Sequence, residues 1–128
     1  MVDLVTQYGK IKSEVDAAVL NVMEQAAFIN GPEVKSFQAE LEAYLGVKHV
    51  IPCANGTDAL QVAMMALDLK PGDEVIVPTF TIISPVQSLV NEGLKPVLID
   101  SDKSTWNMDV NELESKITSK TKGILICN

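Results

Sequence analysis

The stretch that decides the fold is Asn55-Gly56-Thr57-Asp58-Ala59-Leu60, a glycine turn between the short apolar run 50–53 and a long apolar helix. Where a strand turns at a glycine into a helix, the first helical N–H groups lack partners and the positive end of the helix dipole lies beside them. The sequence therefore indicates a phosphate site at Gly56, Thr57 and Asp58, with the Thr57 hydroxyl as a further donor and Asp58 capping the first turn. A plain turn that binds nothing is the alternative.

Working outward from this turn, helical and strand patterns alternate along the chain. A helix with apolar residues around almost its whole circumference, such as 57–69, is expected to be buried on most sides. Short alternating elements favour an α/β fold, a three-layer αβα arrangement with a mainly parallel sheet, in one domain over 1–128. The pattern predicts helices over 5–29, 32–45, 57–69, a segment that is interrupted by Pro85 and ends near Asn91, and 109–118, and strands over 47–53, 74–78, 95–100 and 123–127.

The composition excludes several classes of function. The net charge is −7 and all ten basic residues are lysines, which argues against nucleic acid as a partner. His49 is the only histidine, so zinc sites and Ser-His triads, including one built on Ser84, lack a partner. Neither a targeting signal nor a membrane span is expected, and Cys53 and Cys127 are predicted to be reduced and buried in a cytoplasmic protein.

Ligands of open α/β sheets gather at the carboxyl ends of the strands. Three such ends are predicted here: 55–58 supplies anion donors, 78–82 supplies small hydroxyls and an apolar face, and 100–102 supplies carboxylates. Together they indicate a phosphorylated, partly aromatic ligand. Asp100 and Asp102 could pair on a metal, but carboxylates at a strand end more often cap the next turn, so no metal site is predicted.

Several blocks in a fixed order carry a family resemblance. The chain resembles the N-terminal portion of the DegT/DnrJ/EryC1/StrS family, pyridoxal-phosphate-dependent sugar aminotransferases of fold-type I, which are aspartate aminotransferase-like. The blocks are Phe28-Ile29-Asn30-Gly31-Pro32-Glu33-Val34, Tyr44-Leu45-Gly46-Val47-Lys48-His49, Gly56-Thr57-Asp58-Ala59-Leu60, Pro71-Gly72-Asp73-Glu74-Val75-Ile76, Pro78-Thr79-Phe80-Thr81 and Ile117-Thr118-Ser119-Lys120-Thr121-Lys122.

The resemblance implies a cofactor and a reaction. Gly56, Thr57 and Asp58 would hold the phosphate of pyridoxal 5'-phosphate, and the loop with Phe28, Asn30 and Gly31 would lie near a sugar nucleotide. Family members are homodimers that transfer an amino group, commonly from glutamate, to a keto-sugar nucleotide in amino-sugar or surface-polysaccharide biosynthesis. Where the family usually has an aromatic residue over the pyridine ring, this chain has Ile82, which can pack on the ring without a π contact.

The chain also departs from the family pattern in its catalytic residues. The Schiff-base lysine of the family and the aspartate that pairs with the pyridine nitrogen both lie beyond residue 128, so no catalytic residue is predicted here. The 128 residues alone are therefore expected to be inactive, and to self-associate through apolar faces that the rest of the parent protein would cover. Two alternatives stay open: a stand-alone α/β module that binds a nucleotide at the same anion site, and a non-catalytic remnant that interacts with a full-length subunit.

Overall fold

The computed structural model describes residues 2–127. It divides into two compact units, one ending at Pro52 and the other beginning at Cys53. Each unit is considered by itself, and the prediction that the chain forms one domain stays a prediction. None of the helices within residues 2–127 is long and apolar enough to cross a membrane.

The first unit begins with helix α1, Leu4–Gln25. Asp3 caps it, because its carboxylate accepts a hydrogen bond from the amide of Thr6 at 3.0 Å. The helix ends where Ala26 adopts a left-handed conformation, with φ 52°, and its N–H donates to the carbonyl of Met23. The prediction of a helix over 5–29 was too long at its carboxyl end, since apolar spacing does not reveal where the backbone turns.

Helix α2, Pro32–Leu45, is confirmed as predicted. Pro32 occupies its first turn and Gly46, with φ 65°, ends it. Gly31 precedes the helix and is buried, and a Cβ at that position would lie 2.4 Å from the carbonyl oxygen of Ala27. The close approach of these two backbone segments therefore requires glycine at position 31.

The strand predicted over 47–53 is wrong, because these residues carry no regular structure. The amide of Val50 donates to the Glu42 carboxylate at 3.0 Å instead of to a neighbouring strand, and Ile51 is 73% exposed. An apolar run forms a strand only where another strand is beside it, and the described residues provide no such neighbour here.

The second unit is built on a three-stranded parallel sheet. Its strands are β1, Glu74–Pro78, β2, Lys95–Ile99, and β3, Thr121–Ile124, in the spatial order β2-β1-β3. All five residues of the central strand β1 are buried. The helices of this unit are α3, Gly56–Ala66, α4, Ser84–Asn91, and α5, Val110–Lys116.

The two faces of the sheet are both covered. Val75 and Val77 pack with Leu89 of α4 and Met64 of α3, whereas Ile76, which points to the opposite face, packs with Ile99 and Met108. Leu113 of α5 packs against this second cluster. The predicted three-layer αβα arrangement with a parallel sheet is therefore confirmed.

Other details differ from the sequence prediction. No residue of α3 is buried, and Met65 is 60% exposed, so the expected burial on most sides is wrong for the described residues. Pro85 lies in the first turn of α4 and does not interrupt that helix. Asp109 does cap α5, but its carboxylate accepts from the amide of Asn111. Cys53 is exposed and Cys127 half-buried, both as free thiols, so their predicted burial is also wrong.

A buried carboxylate joins all three strands at the amino end of the sheet. Glu74, which is 5% exposed, accepts hydrogen bonds from the Lys95 ammonium at 2.9 Å and from the Thr118 hydroxyl at 2.6 Å. The Thr118 hydroxyl first, and Lys95 second, lower the pKa of Glu74 below its ordinary value. Because Lys95 begins β2 and Thr118 precedes β3, this one carboxylate holds both neighbours to β1.

We expect Glu74→Gln to lower the unfolding temperature by several degrees at pH 7 and to have progressively less effect in acid. A carboxylate with a lowered folded-state pKa stabilises the fold above its unfolded-state pKa, and this contribution is lost as the pH falls through the folded-state value. The difference between the two proteins, measured by thermal unfolding from pH 7 downward, should begin to shrink near the ordinary pKa of a glutamate, about 4.3, and should disappear only at a more acidic pH. Glu114→Gln, which removes an exposed charge in the same unit, is the control. A difference that does not depend on pH would contradict this reading.

We expect Gly31→Ala to destabilise the chain by about 1–3 kcal/mol, because the new methyl group overlaps the Ala27 carbonyl. Gly9→Ala is the matched control: it lies within α1, where a Cβ meets nothing within 4 Å, so it should stabilise by about 0.5–1 kcal/mol. Urea unfolding followed by helical circular dichroism measures both. Equal stability of the two variants would show that the segment at position 31 relaxes freely.

Candidate functional site

The carboxyl ends of the three strands lie at one edge of the sheet. β1 leads into Thr79–Ile82, β2 into Asp100–Asp102, and β3 into Leu125–Cys127. The crossover through α4 covers one face and the crossover through α5 covers the other, so the connections that follow the neighbouring strands β1 and β2 leave toward opposite faces of the sheet. In open α/β sheets, ligands bind in the crevice that forms at such a point, outside the carboxyl ends of the strands.

A cavity of about 650 Å³ lies at this edge. Its lining is mixed, with apolar and aromatic walls and several small polar groups, as in sites that take a small organic ligand. The residues that line it are Thr79, Phe80, Thr81, Ile82, Trp106, Asn107 and Cys127. Ile82, predicted from the sequence as a site residue, is thus on the wall of the cavity and is 72% exposed.

The amino end of α3 has the donors that the sequence indicates. Gly56 and Thr57 open the helix, and within residues 2–127 their amide N–H groups have no acceptor. A Cβ added at Gly56 would meet nothing within 4 Å, so the space in front of these amides is open. Unpaired amides at the positive end of a helix dipole favour an anion.

The cap of α3 is Asn55, and the prediction that Asp58 caps the first turn is wrong. The Asn55 side-chain oxygen accepts from the amide of Asp58 at 3.0 Å, and its side-chain nitrogen donates to the Asp58 carboxylate at 3.0 Å. The Asp58 carboxylate thus accepts a hydrogen bond from the side-chain amide of Asn55. The pairing leaves the donors of Gly56 and Thr57 free and fixes the turn that precedes them.

Thr57 connects the amino ends of two helices. Its hydroxyl donates to the hydroxyl of Ser84, the first residue of α4, at 3.0 Å. Gln61, in the middle of α3, contacts the carboxyl end of α4, because it donates to Glu92 at 2.7 Å and accepts from Asn91. From the sequence, Ser84 was considered only as a nucleophile. A small hydroxyl residue at the start of a helix that follows a strand end was the available signal for this role.

Trp106 was also missed by the sequence analysis. Its ring lies 5.2 Å from that of Phe80, tilted by 43°, and its backbone is left-handed with φ 62°. Asp102 holds the loop, because its carboxylate accepts from the amides of Ser104 and Thr105 at 3.0 and 2.8 Å. Donation from the Ser104 hydroxyl first, and then from the Thr105 and Ser104 amides and the Thr105 hydroxyl, lowers the pKa of Asp102 to about 2. Asp102 therefore shapes a turn.

The predicted substrate residues lie in the first unit. Phe28 is 67% exposed, Asn30 has a left-handed backbone with φ 49°, and Gly31 is required by the contact with Ala27. The predicted cofactor residues Gly56, Thr57, Asp58 and Ile82 lie in the second unit. Within the second unit, the bond between Thr57 and Ser84 brings the start of α3 to the residue two positions after Ile82.

The arrangement in the second unit can hold a ligand but contains no evident catalytic pair. It offers amide and hydroxyl donors for an anion and an apolar, aromatic wall for a planar group. None of the ten lysines is buried, and among residues 2–127 no group of three His, Cys, Asp or Glu side chains is placed to hold a metal ion. The geometry therefore indicates binding and positioning of a phosphorylated molecule.

Comparison with known proteins bears on the family and the fold of the chain. Residues 9–128 match the DegT/DnrJ/EryC1/StrS aminotransferase family. The UDP-2-acetamido-2-deoxy-3-oxo-D-glucuronate aminotransferase of Pseudomonas aeruginosa is 44% identical over 97% of this chain, which covers 34% of that protein. The chain spans about a third of the length of the curated relatives it matches.

Solved structures show the same fold. A DegT DnrJ EryC1 StrS aminotransferase from Brucella abortus superposes with a TM-score of 0.85 at 38% identity, over 98% of this chain and 35% of that one. NtdA from Bacillus subtilis, solved with bound cofactor PMP, gives a TM-score of 0.83 at 31% identity, over 91% of this chain and 27% of that one. These neighbours confirm the predicted fold class, the N-terminal part of the large domain of pyridoxal-phosphate-dependent transferases. The chain belongs to the DegT/DnrJ/EryC1/StrS aminotransferase family.

Proposed function

We propose that this chain is the N-terminal part of the cofactor-binding domain of an aminotransferase that uses pyridoxal 5'-phosphate and a keto-sugar nucleotide. Family membership supports the reaction class. The Pseudomonas relative is named for a UDP-sugar with an oxo group, which supports a keto-sugar nucleotide as acceptor. The B. subtilis neighbour binds PMP, the amino form of the same cofactor. Glutamate as donor, and a role in amino-sugar or surface-polysaccharide biosynthesis, belong to the same proposal.

The observation that carries this proposal is the pair of unpartnered amides at Gly56 and Thr57. A phosphate dianion accepts hydrogen bonds and donates none, so it matches a site made only of donors. The open space in front of Gly56 leaves room for the phosphate oxygens. Asp58 lies one residue further on with its carboxylate paired to Asn55, and it would contribute by keeping the turn in shape. These residues fit the phosphate end of the cofactor.

Ile82 and the cavity at the strand ends would position the ring end. When bound, pyridoxal phosphate supplies the electron-withdrawing ring and the carbon that carries the amino group between substrates. The branched side chain of Ile82 would pack on one face of the ring and keep water from it, without the quadrupole contact of an aromatic residue. None of the chain's lysines is buried. We therefore propose none of them as the residue that would bond to the cofactor carbon that carries the amino group.

The remaining parts of the proposal concern partners. Phe28, Asn30 and Gly31 would contact the sugar nucleotide, with the left-handed Asn30 fixing the direction of the loop. A homodimer is proposed because large apolar side chains such as Ile29, 88% exposed, and Tyr44, 85% exposed, have little cover in the first unit. The free thiols Cys53 and Cys127 suit the reducing cytoplasm, which we propose as the location.

The test is a nuclear magnetic resonance titration of the chain with pyridoxine 5'-phosphate. This ligand has the cofactor phosphate and ring but no aldehyde, so it cannot react with surface lysines. We expect saturable shifts at the amides of Gly56 and Thr57, and none with unphosphorylated pyridoxine. Thr57→Val should raise the dissociation constant about 3- to 10-fold, the effect of one lost hydrogen bond to a charged group.

Ser115→Ala is the control, because it removes an exposed hydroxyl on α5 that donates to the carbonyl of Glu112 and lines neither the cavity nor the amino end of α3. It should leave the dissociation constant unchanged. Equal shifts with phosphorylated and unphosphorylated ligand would contradict the assignment of the phosphate to this helix. Saturation by UMP with no response to pyridoxine 5'-phosphate would favour the alternative of a nucleotide-binding module.

A further inference from the structure

The amino ends of α3 and α4 meet at a pair of hydroxyl groups. The oxygens of Thr57 and Ser84 are 3.0 Å apart, and both residues are half-buried. The N-cap position of α4 is Ile83, which offers no side-chain capping bond. Within residues 2–127 the amides of Ser84 and Val86 have no acceptor, and Pro85 has no N–H. Two helix amino ends with unpaired donors are therefore fixed beside each other.

The protons of this pair decide what the pair can bind. Two bonded hydroxyls have two protons, of which one lies between the oxygens and the other points away from the pair. When Thr57 donates to Ser84, the outward proton belongs to Ser84. Because an ionised phosphate oxygen only accepts, Thr57 can donate to it only when Ser84 donates to Thr57. Hydroxyl protons rotate to suit their surroundings, so this reversal leaves both oxygens in place.

We propose that Ser84 is a positioning residue of the anion site, acting through Thr57. With an anion at the Gly56 and Thr57 amides, the Ser84 hydroxyl donates to the Thr57 oxygen and the Thr57 hydroxyl donates to the anion. Ser84 thereby holds the rotamer of Thr57 and polarises its O–H, because successive hydrogen bonds in a chain strengthen one another. This inference rests on the proposed function, whose phosphate site it extends to a second helix.

The test measures binding of inorganic phosphate from the shifts of the Gly56 and Thr57 amides. Ser84→Ala should raise the dissociation constant about 3- to 10-fold, and Ser84→Thr, which keeps the hydroxyl, should restore it. Thr57→Val should have an effect of similar size. The double variant should bind no more weakly than Thr57→Val alone, because Ser84 acts only through the Thr57 oxygen.

Ser88→Ala is the matched control on the same helix. The Ser88 hydroxyl is buried and donates to the carbonyl of Pro85 at 2.9 Å, so its loss should lower the unfolding temperature without changing the dissociation constant. Two results would overturn the role of Ser84 and leave the proposed function standing. One is a Ser84→Ala protein that binds phosphate like the wild type. The other is a double variant in which the effects of Ser84→Ala and Thr57→Val add. A wild-type chain without saturable phosphate binding would overturn this inference together with the proposed function.

Discussion

The pairing of the buried strand β1 with a parallel strand on each side is the constraint on which the second unit depends. Residues Glu74–Pro78 are buried on both faces and hydrogen-bonded at both edges. This strand therefore fixes where the loop 79–82 leaves the sheet, and with it the first residue of α4. Since α4 packs against α3, the position of the anion donors at Gly56 also follows from the placement of one five-residue strand.

The parts of the fold that were predictable from the sequence are those whose signal is local. The continuous apolar run of β1, the proline that opens α2 and the glycine that closes it each determine the local backbone. The strand expected over 47–53 failed because pairing depends on a neighbour that the run itself does not encode. The prediction that α3 is buried was wrong for a similar reason. Apolar residues around a helix show that it can be buried, but they do not show which elements pack against it.

The candidate site shows the same difference between residues that have a local sequence pattern and residues that depend on distant partners. Gly56 and Thr57 were predicted because a glycine turn before an apolar helix has a pattern in sequence, although the described residues show no strand ahead of it, and Ile82 because it stands where the resembled family usually has an aromatic residue. Ser84 and Trp106 were missed because their importance comes from partners 27 residues away in one case, and from a left-handed backbone held by Asp102 in the other. The role of a side chain that acts through another residue cannot be recognised from the sequence around it.

The backbone geometry of Trp106 has a practical consequence. It is the only tryptophan of the chain, and a turn formed around the Asp102 carboxylate places its indole on the wall of the 650 Å³ cavity beside Phe80. Tryptophan emission, excited at wavelengths that Tyr8 and Tyr44 do not absorb, thus originates from a single indole next to the crevice. Its emission wavelength and quenching provide an optical signal from that crevice which needs no label and has no background from other indoles.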